Sequence, residues 1–88
     1  MSYSIEFTEQ AQIDIAKHKK SGKKVVLTKI LTFLNELTEH PFTGTRKPEQ
    51  LKHDYSGYWS RRINKEHPLI YSNFQNIVYI NSAFGHYL

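Results

Sequence analysis

Tyr3, Ile5 and Phe7 alternate with polar neighbours between Ser2 and Phe7, a period of two that predicts a short first strand. The period then lengthens. Thr8 is placed to cap a helix, and Glu9 stands in the first turn, where a carboxylate suits the helix dipole. Ala11, Ile15 and His18 recur at helical spacing to about Lys20, and Ser21-Gly22 supplies the stop. His18, followed by lysines, reads as a surface or partner-contact residue rather than a ligand. A second helix is predicted from Lys23 to about Glu39. Its stripe of Val26, Ile30, Phe33, Leu34 and Leu37, with Leu27 and Leu31 alongside, is the main apolar element and reads as core.

His40-Pro41-Phe42-Thr43-Gly44 ends the helix and opens a loop. Two hairpins follow: Leu51 to Asp54 with Tyr58 to Ile63 around Tyr55-Ser56-Gly57, then His67 to Ser72 with Ile77 to Phe84 around Asn73 to Asn76. Pro68 cannot donate to a sheet ladder, so an edge or a bulge is expected there. The order β-α-α-β-β-β predicts an α+β domain, a small antiparallel sheet with two N-terminal helices packed on it. One domain is expected over residues 1–88, with no repeat, linker or low-complexity run.

Composition narrows the chemistry. The chain has no cysteine, which removes disulfide frameworks and thiolate metal sites. No stretch approaches the roughly 20 apolar residues of a membrane span, and the N-terminus lacks the pattern of a signal peptide. A soluble, cytoplasmic protein is expected, with no membrane partner. Net charge is +4, and the cations are clustered: six lie between Lys17 and Lys29 and six between Arg46 and Lys65. Such a balance favours a polyanionic partner, or an acidic protein that masks the charge.

The densest chemistry lies in Lys47 to Tyr71, KPEQLKHDYSGYWSRRINKEHPLIY. Alternation sends Tyr58, Ser60 and Arg62 to one face of a strand and Trp59, Arg61 and Ile63 to the other. An aromatic and two guanidiniums on one strand suit a surface that touches phosphates and bases. Read as residues alone, the same strand equally suits a hairpin with a core Trp and solvated arginines.

The blocks KPEQLKH, SGYWSRRIN and EHPLIY, followed by His86-Tyr87, resemble the YoeB/Txe-type toxins of the RelE/ParE superfamily of bacterial toxin–antitoxin systems. The resemblance is strongest from Pro41 to Tyr71 and returns at the C-terminus. It implies the same α+β fold. It also implies a metal-independent endoribonuclease, without organic cofactor, that cleaves mRNA in the ribosomal A site. The implied partners are an acidic antitoxin of the YefM/Phd kind, the ribosome with its message, and a second copy in a homodimer.

The reaction so implied has a ribose 2′-OH attack the neighbouring phosphate and expel the 5′-oxygen. It requires a base, a cation for the transition-state charge and an acid. By resemblance Glu49 is the base, His86 the acid, and Tyr87 stacks on a base or orients the phosphate. Arg62, Lys52 and His53 hold the backbone and the developing charge. Arg61 and Lys65 join them as RNA-binding cations, and Lys19, Lys20, Lys23 and Lys24 form a ribosome-binding patch.

Two positions depart from the pattern. Pro68 stands where the family has an arginine after Glu-His, and Leu88 follows the tyrosine. Three other readings therefore stay open. One is an A-site blocker with weak or no cleavage, which Pro68 favours. Another is a ParE-type gyrase inhibitor, against which Glu49, Arg62 and His86-Tyr87 argue. The third is a metal site on His53, His67 and His86, whose spacings match no metal motif.

Overall fold

The computed structural model describes residues 3–41, 48–52 and 56–85. Within them the chain runs β1 (Ser4–Phe7), α1 (Glu9–Ser21), α2 (Lys24–Leu37), β2 (Glu49–Gln50), β3 (Tyr58–Arg62), β4 (Pro68–Phe74) and β5 (Ile77–Ser82). The strands form one sheet in the order β1-β5-β4-β3-β2, with the two helices packed on it. The expected α+β layout is present. Its sheet is mixed, because β1 lies parallel to β5 while the other three pairings are antiparallel.

Local chemistry explains the helix ends. The Thr8 hydroxyl oxygen accepts from the Ala11 N–H at 3.1 Å, and the hydroxyl donates to the Asn81 carbonyl, so the cap also ties α1 to β5. Gly22 ends α1 at φ 71°, a left-handed conformation that glycine adopts without a Cβ clash. On α2 the predicted stripe is buried at Val26, Ile30, Phe33 and Leu37. Leu31, read as core, is instead 62% exposed. Its position turns it out of the stripe, towards the groove described below.

Several strand limits differ from expectation. β2 is Glu49–Gln50, two residues before the predicted start, and only Leu51 N–H to Tyr58 carbonyl continues its pairing, at 2.9 Å. The predicted end at Asp54 lies outside the described residues. β4 runs on through Phe74, leaving a two-residue turn at Gln75-Asn76, with Gln75 at φ 55°. Turns of this length favour glycine or asparagine at a positive φ, and a glutamine there gives the sequence no signal. Pro68 pairs with Arg62 of β3 and has no recorded partner in β5, so it lies at a local edge and not at a bulge. It is the first residue of an interior strand, where its missing N–H is tolerated, while the register shift falls at Ile70/Tyr71.

The core joins α2 to the sheet through Ile30, Phe33, Leu37, Leu69, Tyr71, Val78 and Ile80. Arg61 lies within it at 0% exposure. Its Nη1 donates to Glu36 Oε1 at 2.7 Å, Nη2 to the His40 carbonyl at 2.8 Å and Nε to the Tyr71 hydroxyl at 3.4 Å. The Tyr71 hydroxyl donates in turn to the Pro41 carbonyl at 2.7 Å. Burial pushes the Tyr71 phenol above its usual pKa, and Arg61 partly opposes that rise.

Arg61 was expected at the RNA surface. It fills an inward position of β3 instead, and its charge is spent on α2 and on the start of the α2–β2 connection. Removing one partner of a buried ion pair leaves the other uncompensated, at a cost of about 3–5 kcal/mol. Arg61→Leu should therefore lower unfolding free energy by about that amount in urea titration. Arg62→Ala, one residue on and exposed, should stay within about 0.5 kcal/mol of the parent.

Candidate active site

Strand register assembles the site's two described chemical groups. Trp59 packs against the core and Arg61 is buried in it, so Tyr58, Ser60 and Arg62 occupy the sheet face away from the helices. Glu49 is paired with Ser60 across β2 and β3, and residues directly opposite share a face. Glu49 is therefore a diagonal neighbour of Arg62, at the roughly 7–8 Å typical of such pairs. Both are exposed, and Lys52 is exposed just beyond β2. An exposed carboxylate and an exposed guanidinium on one face can take a proton from one part of a substrate and neutralise phosphate charge on another.

Pro68 belongs to the same place. It pairs with Arg62 in the β3–β4 register, so the two residues share the face away from the helices. Lys65 is exposed in the turn between them. Asn64 Oδ1 holds that turn by accepting from the Glu66 and His67 N–H groups, both at 2.9 Å. His53, His86 and Tyr87 lie outside the described residues. Trp59, half-buried on the helix side, is kept away from the face that carries Arg62.

The basic patch is a separate feature. Lys19, Lys20, Lys23 and Lys24 are all exposed around the α1–α2 junction. Beside it, an apolar groove of about 300 Å³ is lined by Phe7, Ile15, Leu27, Leu31 and Leu34, with Lys19 among its lining residues.

The sequence reading missed a cluster where the chain leaves β5. His18, expected at the surface, is 1% exposed, because it faces the sheet and not solvent. Its Nε2–H donates to the Ala83 carbonyl at 2.7 Å. Asp14, one turn earlier and also buried, accepts the Ala83 N–H at 2.9 Å and the Gln10 side-chain amide at 2.8 Å. The rings of His18 and His67 contact Phe84 at centroid distances of 4.9 and 4.5 Å, and Lys17 Nζ lies 5.0 Å from its centroid.

The signal was present: Ala11, Asp14 and His18 repeat at i, i+3 and i+7, a buried stripe written partly in polar residues. Among the described residues no group of three His, Asp or Glu side chains could hold a metal ion. Nor is any helix among them long and apolar enough to cross a membrane.

Two helices packed on one mixed five-stranded sheet are the fold of solved bacterial toxins of the YoeB and YafQ kind. The family described as YoeB-like toxin of bacterial type II toxin-antitoxin systems matches residues 7–87, and the chain belongs to it. It is 41% identical over 83 residues to toxin YoeB of Synechocystis sp., covering 94% of this chain and 95% of that one. A YoeB/ParE toxin from Agrobacterium tumefaciens superposes with a TM-score of 0.86 at 30% identity, covering 96% of this chain and 99% of that chain. YoeB from Staphylococcus aureus, in a heterotetrameric YoeB-YefM complex, gives 0.81 at 36% identity over 99% of this chain and 100% of that chain. The same scores hold for a structure of the S. aureus YoeB dimer.

Burial holds the His67 imidazole below its usual pKa of 6.5, helped by neighbouring His18 and Lys23 and opposed by Glu66 and Asp14. A base whose folded pKa is depressed resists protonation in the fold. Its contribution to stability is full above pH 6.5 and falls as pH drops from there towards the lower folded value. Thermal unfolding across that window should show acid-side destabilisation, and His67→Leu should flatten that slope.

Proposed function

We propose that this toxin is a metal-independent endoribonuclease that cleaves mRNA in the ribosomal A site of the cytoplasm. The observation that carries the reading is the shared face of Glu49 and Arg62, imposed by the Glu49–Ser60 pairing. Glu49 takes the proton of a ribose 2′-OH, whose oxygen bonds to the adjacent phosphorus. Arg62 and Lys52, with His53, offset the charge that grows on the phosphoryl oxygens. The bond from phosphorus to the 5′-oxygen breaks, and His86 supplies the proton that oxygen needs. The products are a 2′,3′-cyclic phosphate and a 5′-hydroxyl. Tyr87 orients the phosphate or stacks on a base.

Arg61 has no part in this chemistry, since its guanidinium is occupied in the core. Lys65 extends the cationic rim. Lys19, Lys20, Lys23 and Lys24 grip ribosomal phosphates, with affinity that falls as salt rises. The partner in growing cells is an acidic antitoxin segment, a reading supported by the YoeB-YefM toxin-antitoxin complex of S. aureus. The apolar groove beside the lysines suits a segment that orders on binding, and a homodimer accords with the S. aureus dimer.

Translation in vitro followed by primer extension tests the reading directly. Message truncated within the A-site codon is expected; arrested ribosomes on intact message would instead mark a blocker without nuclease activity. Glu49→Gln and His86→Gln should each lower the cleavage rate by about 10²- to 10⁴-fold, the usual worth of positioned proton transfer, with ribosome binding little changed. Near-normal cleavage in either variant would reassign that role.

The arginine that Pro68 replaces would sit across from Arg62 on the same face. One preorganised cation already occupies the register, so the enzyme should be slower than an arginine-bearing relative yet active. Pro68→Arg should raise the cleavage rate by about tenfold or more, equivalent to about 1.4 kcal/mol of transition-state stabilisation.

A further inference from the structure

Two buried polar side chains of α1 are spent on one backbone unit. Ala83 has its N–H accepted by Asp14 and its carbonyl bonded by His18, so both of its backbone polar groups are held by side chains 69 and 65 positions away in sequence. β5 has already ended at Ser82, and no strand pairing supplies these bonds. An apolar stripe would have docked α1 more simply. Buried Asp and His side chains are costly unless their partners are well placed, and here both bond the backbone of a single residue, with Asp14 also accepting from Gln10.

The next residues continue the arrangement. Phe84 is gripped by the rings of His18 and His67 and by Lys17. Gly85 has φ +60°, and a Cβ built on it would meet the His67 ring at 3.5 Å. The chain is therefore fixed in position at Ala83, anchored at Phe84 and turned at Gly85. His86 is the next residue in sequence.

We infer that Asp14 and His18 are positioning residues for the His86 acid, clasping the Ala83 backbone three residues before it. The inference rests on the reading of His86 as the acid that protonates the leaving oxygen. Proton transfer requires hydrogen-bond reach, and a misplacement of about 1 Å can cost about 10²-fold in rate. The clasp acts on kcat. Message and ribosome binding are carried by other residues, so KM is left nearly alone.

The test compares disruptive with conservative variants. His18→Leu and Asp14→Ala lose the bond to Ala83, whereas His18→Gln can still donate to its carbonyl and Asp14→Asn can still accept its N–H. In ribosome-dependent cleavage the disruptive pair should lose about tenfold or more in kcat with KM within about twofold, and the conservative pair should recover most of it. Amide exchange at Ala83 should quicken in Asp14→Ala, while Val78 and Ile80 in β5 stay protected.

Gly85→Ala is the second arm should the disruptive variants fail to fold. Its Cβ would make ordinary contacts with His67 and the Glu66 carbonyl, but a φ of +60° is strained for any residue with a Cβ, so the substitution perturbs the chain at the exit and should lower kcat. Normal kcat in folded His18→Leu and Asp14→Ala, or in Gly85→Ala, would overturn the inference. So would an Ala83 amide no faster to exchange in Asp14→Ala. His86→Gln assayed alongside separates the two levels. If it cleaves normally, the acid assignment has failed and the positioning role falls with it. If it is inactive while the clasp variants are normal, only the positioning role has failed.

Discussion

A single buried guanidinium fixes how the strands present their side chains. Arg61 binds Glu36 of α2, the carbonyl at the start of the α2–β2 connection and the hydroxyl of Tyr71 on β4. Those bonds can form only with Arg61 pointing inward. A slip of one residue in β3 would carry Arg62 into the core and Arg61 out, leaving Glu36 without its ion pair and Trp59 and Ile63 in water. The price of such a pair is desolvation, so its contribution is to specify register more than to add net stability. Once Arg61 is inside, Arg62 is outside, and Glu49 meets it through the partner strand.

The opposite end of the sheet is secured by similar means. α1 buries Ala11, Asp14 and His18, and two of those three hold the backbone of Ala83. Both helices therefore reach the sheet through polar anchors at its periphery, with Ile30, Phe33, Val78 and Ile80 filling the centre. The apolar interior supplies most of the driving force and says little about which residues leave the sheet and where. Directional bonds at the margins supply that information. They fall where the proposed functional groups are carried: the connection that leads to Glu49, and the exit that leads to His86.

Much of this was legible in the chain, within limits that have physical causes. Alternation and capping are local, so β1, the Thr8 cap, the Gly22 stop and the stripe of α2 could be read directly. The parallel pairing of β1 with β5 joins residues some seventy positions apart and leaves no local trace. The faces of β3 followed from its period, and Trp59 and Ile63 marked the inward one. Arg61 was misplaced because arginine is rarely buried unless paired, and its partner Glu36 lies on another element. His18 was misread for the same reason, its partner being a backbone carbonyl. The Glu49–Arg62 proximity was not legible at all, since it depends on which residue of β2 faces Ser60.

Pro68 shows how the same register governs what the site can accept. The β4–β5 pairing is recorded from Ile70 onward, so Pro68 is paired with β3 alone. The Ile63 N–H finds its acceptor in the His67 carbonyl at 2.9 Å, and the turn is closed by Asn64. Nothing described in the ladder needs a donor from residue 68. Proline at that point is thus cheap for the fold, and the fold makes no demand that the residue be proline. Its effect falls on the open face, which carries Arg62 but lacks a second guanidinium opposite it. A position that matters little to the sheet and much to the charge of the proposed site is one where the proposed activity can be adjusted without disturbing stability.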